Sequence, residues 1–343
     1  MHKYMAILAI AAVVLACVSG ARADVVVDTV PVGNPGNAGE WSGENYGGSG
    51  PDRICGAVDY TYNIGKFEVT AGQYCEFLNA VAATDTYGLY NVYMWESDLG
   101  CKIMRSSSPG DYTYSVAPDW ENRAVNFVSW GDVARFANWL YNGQPTGSQD
   151  LDTTESGSYF LDGATTSLEL SAITREADAT WVIPSEDEWY KAAYHYNDGV
   201  TGNYFDYPTT NDTVPSNYLV DPDPGNNANF YQTGFGHTIG APYWRTEVGE
   251  FENSESPYNT FDQAGNVWEW NEAIPYEASR GLRGGAFGNY QDYHDMHAAW
   301  RGNDDSVTEG EWIGFRVAEV PEPCTLGLLS LGGLMLVKRR RRT

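Results

Sequence analysis

The chain has 343 residues, enough for one large domain or two small ones. It carries 20 Lys and Arg against 46 Asp and Glu, a formal net charge of −26 at pH 7. A surface of that sign repels nucleic acid and anionic lipid and suits divalent cations. Aromatic residues make up 14% of the chain, too many for a disordered acidic segment and enough to build a core.

His2 and Lys3 precede an apolar run from Met5 to Cys17, and Ala21-Arg22-Ala23 fits a small-residue cleavage site. Residues 1–23 therefore read as a secretory signal peptide, too short an apolar run to span a membrane. Residues 24–320 keep about 13 of the basic and about 45 of the acidic residues, so their net charge is near −32. Residues 24–56, rich in Gly, Asn and Pro, read as an extended lead-in. Thr70 and Gln73 have capping-box spacing, and Tyr74, Phe77, Leu78 and Val81 follow at helical period. A second helix is predicted from Ser129, with Asp132 in the box position and Val133, Phe136, Ala137 and Leu140 buried. A third is predicted from Ser185, with Glu188 in the box and Trp189, Ala192, Ala193 and Tyr196 as its stripe. Trp181-Val182-Ile183 is a strand candidate. Residues 145–178 are polar and read as a surface excursion, and 197–260, rich in Gly and Asn, should hold little regular structure. No periodic repeat or sharp change of composition divides 57–320, which reads as one domain.

The last segment, 321–343, joins Val320-Pro321-Glu322-Pro323 to an apolar run Leu326–Val337 and then Lys338 and Arg339–Arg342. The apolar run is short for a membrane span, and the basic cluster would stay cytoplasmic. This order of parts resembles the bacterial PEP-CTERM sorting signal. The resemblance implies an exosortase-like processing enzyme as partner and delivery to the cell surface or extracellular matrix, with membrane contact through the tail only.

Six segments along the middle of the chain resemble one family in order. They are Tyr62–Thr70 with Gln73-Tyr74, Ala124–Trp130 with Ala137-Asn138-Trp139, Ile183–Trp189, Gly265–Trp270, Arg283-Gly284-Gly285 and Gly314-Phe315-Arg316. The set resembles the formylglycine-generating enzyme, or sulfatase-modifying factor, family. The implied fold is α+β: a single compact domain related to C-type lectins, with low regular secondary structure, a few short helices and small antiparallel sheets.

The family typically binds calcium structurally, and calcium needs six to eight oxygen ligands. Asp262 and Glu269 flank the Ala264-Gly265-Asn266 turn. By resemblance Asp262 and Glu269 are the carboxylate candidates, Ala264 and Asn266 contribute from the turn, and Asn229 corresponds to a second site. The family's oxidases use two cysteines after Arg-Gly-Gly to hold copper, which favours soft thiolates. The matching positions here are Asn289 and His294, and Ala286 stands where the family has serine. Copper is therefore not expected. Cys55, Cys75 and Cys101 remain between the ends; export permits one disulfide, with the pair left open. Asp187 and Glu188 lie at a helix start, where carboxylates are favoured, and read as structural.

Two functions compete. One is an exported surface or matrix protein with a calcium-stabilised binding or structural domain. Its ligand face would be Asn289, Tyr290, Asp292, His294, His297 and Trp300, with Phe287 and Tyr293 among them. Aromatics interleaved with short polar groups suit a glycan or surface-protein ligand. The other is a formylglycine-generating-type oxidoreductase, or another metal-dependent enzyme with an altered site at His294 and His297, aided by Asp292 or Asp295. Solvent-facing or hydrogen-bonded histidines are the simpler account of that pair.

Overall fold

Capping boxes open four of the five helices. In the computed structural model, which describes residues 24–288 and 292–321, these are α1 (Ala71–Val81), α3 (Trp130–Tyr141), α4 (Ser167–Ala172) and α5 (Glu186–Tyr194). The fifth, α2 (Tyr93–Glu96), is one turn without a side-chain cap. At α1, Thr70 Oγ1 accepts from the Gln73 N–H and Gln73 Oε1 accepts from the Thr70 N–H, at 3.2 and 2.9 Å. Each cap satisfies backbone donors that the helix leaves open and contributes about 1 kcal/mol.

The predicted stripes of α1 and α3 face one another. Phe77 packs on Phe136 and Trp139 with ring centroids 5.3 and 5.2 Å apart, and Phe136 packs on Phe315 at 5.3 Å. Two four-stranded sheets complete the frame. One runs in the order Thr29–Val32, Tyr62–Gly65, Ala318–Glu319, Trp181–Val182, all antiparallel. The other runs Gly302–Asp305, Ser279–Arg283, Trp268–Asn271, Ile313–Gly314, antiparallel except for its last pair. The fold is thus the expected single α+β domain with little regular structure. Between residues 197 and 260 the only regular strands are the two-residue pair Tyr231–Gln232 and Gly236–His237.

Several expectations change. Residues 145–178 lie largely at the surface, as expected, but are anchored: Tyr159, Leu161 and Leu170 are buried, and Glu155 grips the buried Arg135 at 2.7 and 2.9 Å. Helix α5 stops at Tyr194, because His195 turns extended and bridges Tyr204, so Tyr196 lies outside the helix, partly exposed against Phe205. Helix α5 is also buried all round, Lys191 included, whose Nζ donates to Asn34 O at 2.9 Å. The lead-in supplies an edge strand, Thr29–Val32, and a hairpin of Glu40–Ser42 with Arg53–Cys55. Cys55, Cys75 and Cys101 are all buried, and no disulfide joins any two of them.

Residues 1–23 and 322–343, which carry the expected signal and sorting segments, lie outside the described residues. Among the described residues no helix is long and apolar enough to cross a membrane.

Candidate functional site

Glu186, at the first turn of α5, holds together the parts of the chain that border the expected ligand face. Its Oε1 accepts from Arg283 Nη2 at 2.8 Å and Arg301 Nε at 2.7 Å. Its Oε2 accepts from Arg301 Nη2 at 2.6 Å and Arg53 Nη1 at 2.8 Å. Burial alone would raise this carboxyl's pKa; Arg283, Arg301 and Arg53 outweigh it and hold the group well below the usual carboxylate range. Arg283 in turn donates through Nη1 to the carbonyls of Ala298 and Trp300, both at 2.8 Å. The arginine of the Arg-Gly-Gly segment therefore sets the path of residues 298–300. The neighbours of Glu186 follow suit: Asp187 pairs with Arg53, and Glu188 caps α5 and pairs with Arg175 at 2.9 Å.

The face divides into core and surface. Phe287 is core, 1% exposed, its N–H donating to Asn266 O at 3.0 Å. Tyr293 packs at the edge of a cluster of Tyr207, Phe230, Ala264 and Met296. His294 is exposed, its ring 4.3 Å from that of Tyr293 and 6.3 Å from that of Trp300. Trp300 is half-buried and bridges Ser49 of the lead-in. His297 Nδ1 accepts from the Ala299 N–H at 3.0 Å, and Nε2 lies 3.6 Å from Asp206. Burial lowers the His297 pKa, against the pull of Asp206. Its Nδ1 is thus taken, and Nε2 is the nitrogen left for a ligand. Asn289 and Tyr290 lie outside the described residues, and Asp292 opens the short 3-10 helix Asp292–Met296.

The metal candidates surround a second buried group of acids. Gly265 has φ +77°, and a Cβ there would meet Asn229 O at 2.2 Å, so only glycine lets the two strands approach. The turn this permits places Asn266 between Asn229, whose Nδ2 donates to Asn266 Oδ1 at 3.0 Å, and Glu68, which accepts from Asn266 Nδ2. Glu269 is held by Arg316 through both oxygens, at 2.6 and 2.7 Å, and accepts from Trp189 Nε1 at 2.7 Å. Asp262 accepts from the Gly249 N–H at 2.7 Å. Burial, Arg316 notwithstanding, pushes Asp262 up to about 6, and burial with the neighbouring Asp262 and Glu269 pushes Glu68 well above its ordinary value.

Three carboxylates thus share one arginine. The charge fits a cation, and Asp262 is the acid freest to hold one, whereas Glu269 is committed to Arg316. Ala264 is buried at the turn. Asn229 Oδ1 is buried without a hydrogen-bond partner, an oxygen that a cation would satisfy. Among the described residues no three His, Cys, Asp or Glu side chains converge as a metal cluster.

Copper fits less well. Burial raises the Cys55 thiol to about 11 despite the nearby Arg283, and raises Cys101 as well. Neither is a thiolate at neutral pH. Sequence reasoning missed Glu186 and Glu68 altogether. Both sit in family-like segments, but their partners are far away along the chain.

The fold and these two charge-organised centres define a class: an α+β domain of low regular structure built around buried carboxylate–arginine contacts. Residues 51–320 match the family described as "Sulfatase-modifying factor enzyme 1-like domain", and the chain belongs to that family. Among solved structures, the Treponema denticola variable protein 1 superposes with a TM-score of 0.51 at 16% identity, over 85% of this chain and 95% of that one. CarF superposes with a TM-score of 0.50 at 17% identity, over 87% of this chain and 99% of that one. At such identities the likeness is one of fold. Among curated proteins none matches the sequence.

Proposed function

We propose that this is an exported surface or matrix protein whose domain acts as a calcium-stabilised binding module, not as a copper oxidase. The observation that carries the reading is at the position of the family's oxidase thiols. Asn289 and His294 stand there in sequence, and His294 lies exposed beside Tyr293 and Trp300. Two thiolates are needed to hold Cu(I) in the family's chemistry, and Cys55 and Cys101 are buried and protonated elsewhere. Export rests on the signal-like and sorting-like ends, with an exosortase-like enzyme processing the tail. Calcium rests on the acid excess at Glu68, Asp262 and Glu269, with Asp262, Ala264 and Asn266 at the turn and Asn229 beside it.

The face offered to a ligand is Tyr293, His294, His297 and Trp300, with Asn289, Tyr290 and Asp292 adjoining in sequence. Rings with polar tips give rigid contact area and adaptable hydrogen bonds, which suits a glycan or surface-protein ligand.

The test is turnover of a sulfatase-motif peptide by purified protein supplied with copper, read as formylglycine by mass spectrometry. No product is expected. Stoichiometric turnover would show that the replaced positions do not abolish the oxidase chemistry, and would overturn the reading.

A further inference from the structure

Arg245 is fully buried, and its guanidinium makes one hydrogen bond, from Nη1 to Leu99 O at 2.8 Å. Among the described residues Nε and Nη2 have no partner. Elsewhere in this protein that same edge holds a carboxylate. Arg135 grips Glu155 through Nε and Nη2 at 2.7 and 2.9 Å, Arg316 grips Glu269 at 2.6 and 2.7 Å, and Arg301 grips Glu186 at 2.7 and 2.6 Å. The spacing of the two N–H groups matches the two oxygens of a carboxylate. Arg280, also buried, solves the problem differently and donates to the carbonyls of Glu272, Leu170 and Ile173.

Among the described residues no acid fills the place at Arg245. Glu68 acts on it through space, but its oxygens accept from Asn266 and Val267. The Cys101 thiol nearby stays protonated, because burial raises its pKa. Arg123 adds a second cation and donates through Nη1 to Arg245 O. Burial lowers Arg245 to about 10, so it remains charged at neutral pH.

The surroundings hold further unpaired polar atoms, one of them an acceptor, Asn126 Oδ1. Trp244 and Trp312 each hold a buried indole N–H with no partner. Phe287 and Trp120 wall the guanidinium, their ring centres 5.5 and 5.7 Å from Cζ. Trp312 lies against Gly288, where a Cβ would meet its Nε1 at 2.8 Å. Asn126 ties the two sides, donating to Leu99 O and Glu311 O. Trp244 and Trp312 are half-buried, so the group borders the surface. Buried donors left unpaired this way carry a desolvation cost that a bound acceptor removes.

We propose that the Nε–Nη2 edge of Arg245 binds the carboxylate of a small organic acid. The site stands on Arg245 and its neighbours, so its failure would leave the 293–300 face untouched. Acetate and benzoate are the probes, each compared with sodium chloride at equal ionic strength and fixed calcium. Wild-type protein should show a saturable rise in melting temperature of about 3 °C over chloride, with a change in tryptophan fluorescence. Arg245→Met should lose the carboxylate-specific rise. Arg245→Lys, which keeps the charge but not the fork, should bind at least about tenfold more weakly. Should Arg245→Met fail to fold, Arg245→Lys carries the comparison. Equal shifts in chloride and carboxylate, or a carboxylate-specific shift that survives undiminished in the arginine variants, would overturn the assignment.

Discussion

Glu186 and Glu68 are equally buried acids in opposite electrical company. Glu186 faces three guanidiniums, of Arg53, Arg283 and Arg301, and its pKa is held down. Glu68 shares Arg316 with Asp262 and Glu269 and feels Arg245 only through space, and its pKa is driven up. At the first centre the chain itself compensates the acids, setting Arg53, Arg283 and Arg301 against Glu186 and Asp187. The second holds more negative charge than the chain neutralises. Burial in a low-dielectric interior raises the cost of any such imbalance. The first centre therefore reads as scaffold, and the second is where the proposed calcium would offset the excess of acids.

The largest effect should come from breaking the scaffold. Glu186→Ala leaves the buried Arg283 and Arg301, with the half-exposed Arg53, around an empty place, a change that costs about 3–5 kcal/mol when one partner of a buried ion pair is removed. Urea titration followed by tryptophan fluorescence would measure it. A loss below about 1 kcal/mol would show that Arg283 and Arg301 find other partners. The second centre should respond to calcium instead. Chelation with EGTA should lower the melting temperature, by the equivalent of about 2–3 kcal/mol relative to calcium at a hundredfold excess over its Kd. Asp262→Asn should lose most of that dependence while Glu186 variants keep it. Identical unfolding curves with and without calcium would remove the contrast between the centres.

Local signals along the sequence made part of this contrast visible. The capping boxes at Thr70, Ser129 and Ser185 locate three helices, because a cap and its partner lie three residues apart. The same signal was available for α4 at Thr166 and Glu169, hidden by the polar composition around it. Glu186 was less readable. Its position in Ile183–Trp189 marks the segment, but Arg53, Arg283 and Arg301 lie about a hundred residues away or more, and only the fold brings them together. Arg245 carried no signal at all: an arginine that lacks an acid is invisible until the neighbours are known. The reverse holds for Glu269. Its place beside the Gly265 turn suggested a calcium ligand, while the structure commits both oxygens to Arg316.

A third acid group sets the smallest test, and its sign is opposite to that of Glu186. Asp85, Asp132 and Glu309 act on one another through space. Asp132 is pushed up to about 6 by burial, and Glu309 to about 8 by burial and then Asp132, with Asn91 pulling it back. Asp85 has Arg105 at 3.0 Å, yet burial still raises it. A carboxyl whose folded pKa is raised favours folding when protonated. The Glu309 contribution is therefore complete below its ordinary value near 4.5 and disappears as pH rises through about 8. Glu186, held low, behaves the other way: its contribution is present above the ordinary carboxylate pKa and is lost as pH falls below it. Glu309→Gln should match wild type near pH 4.5 and exceed it near pH 9. The gain is about 1 kcal/mol once solvent screening of a partly exposed group is allowed for. Stability curves at the two pH values would measure it. A variant less stable than wild type at pH 9 would mean that the ionised Glu309, through Asn91 Nδ2 at 2.8 Å, holds the corner better than a neutral amide. The acid-rich side of the molecule would then be balanced internally, as the Glu186 side is.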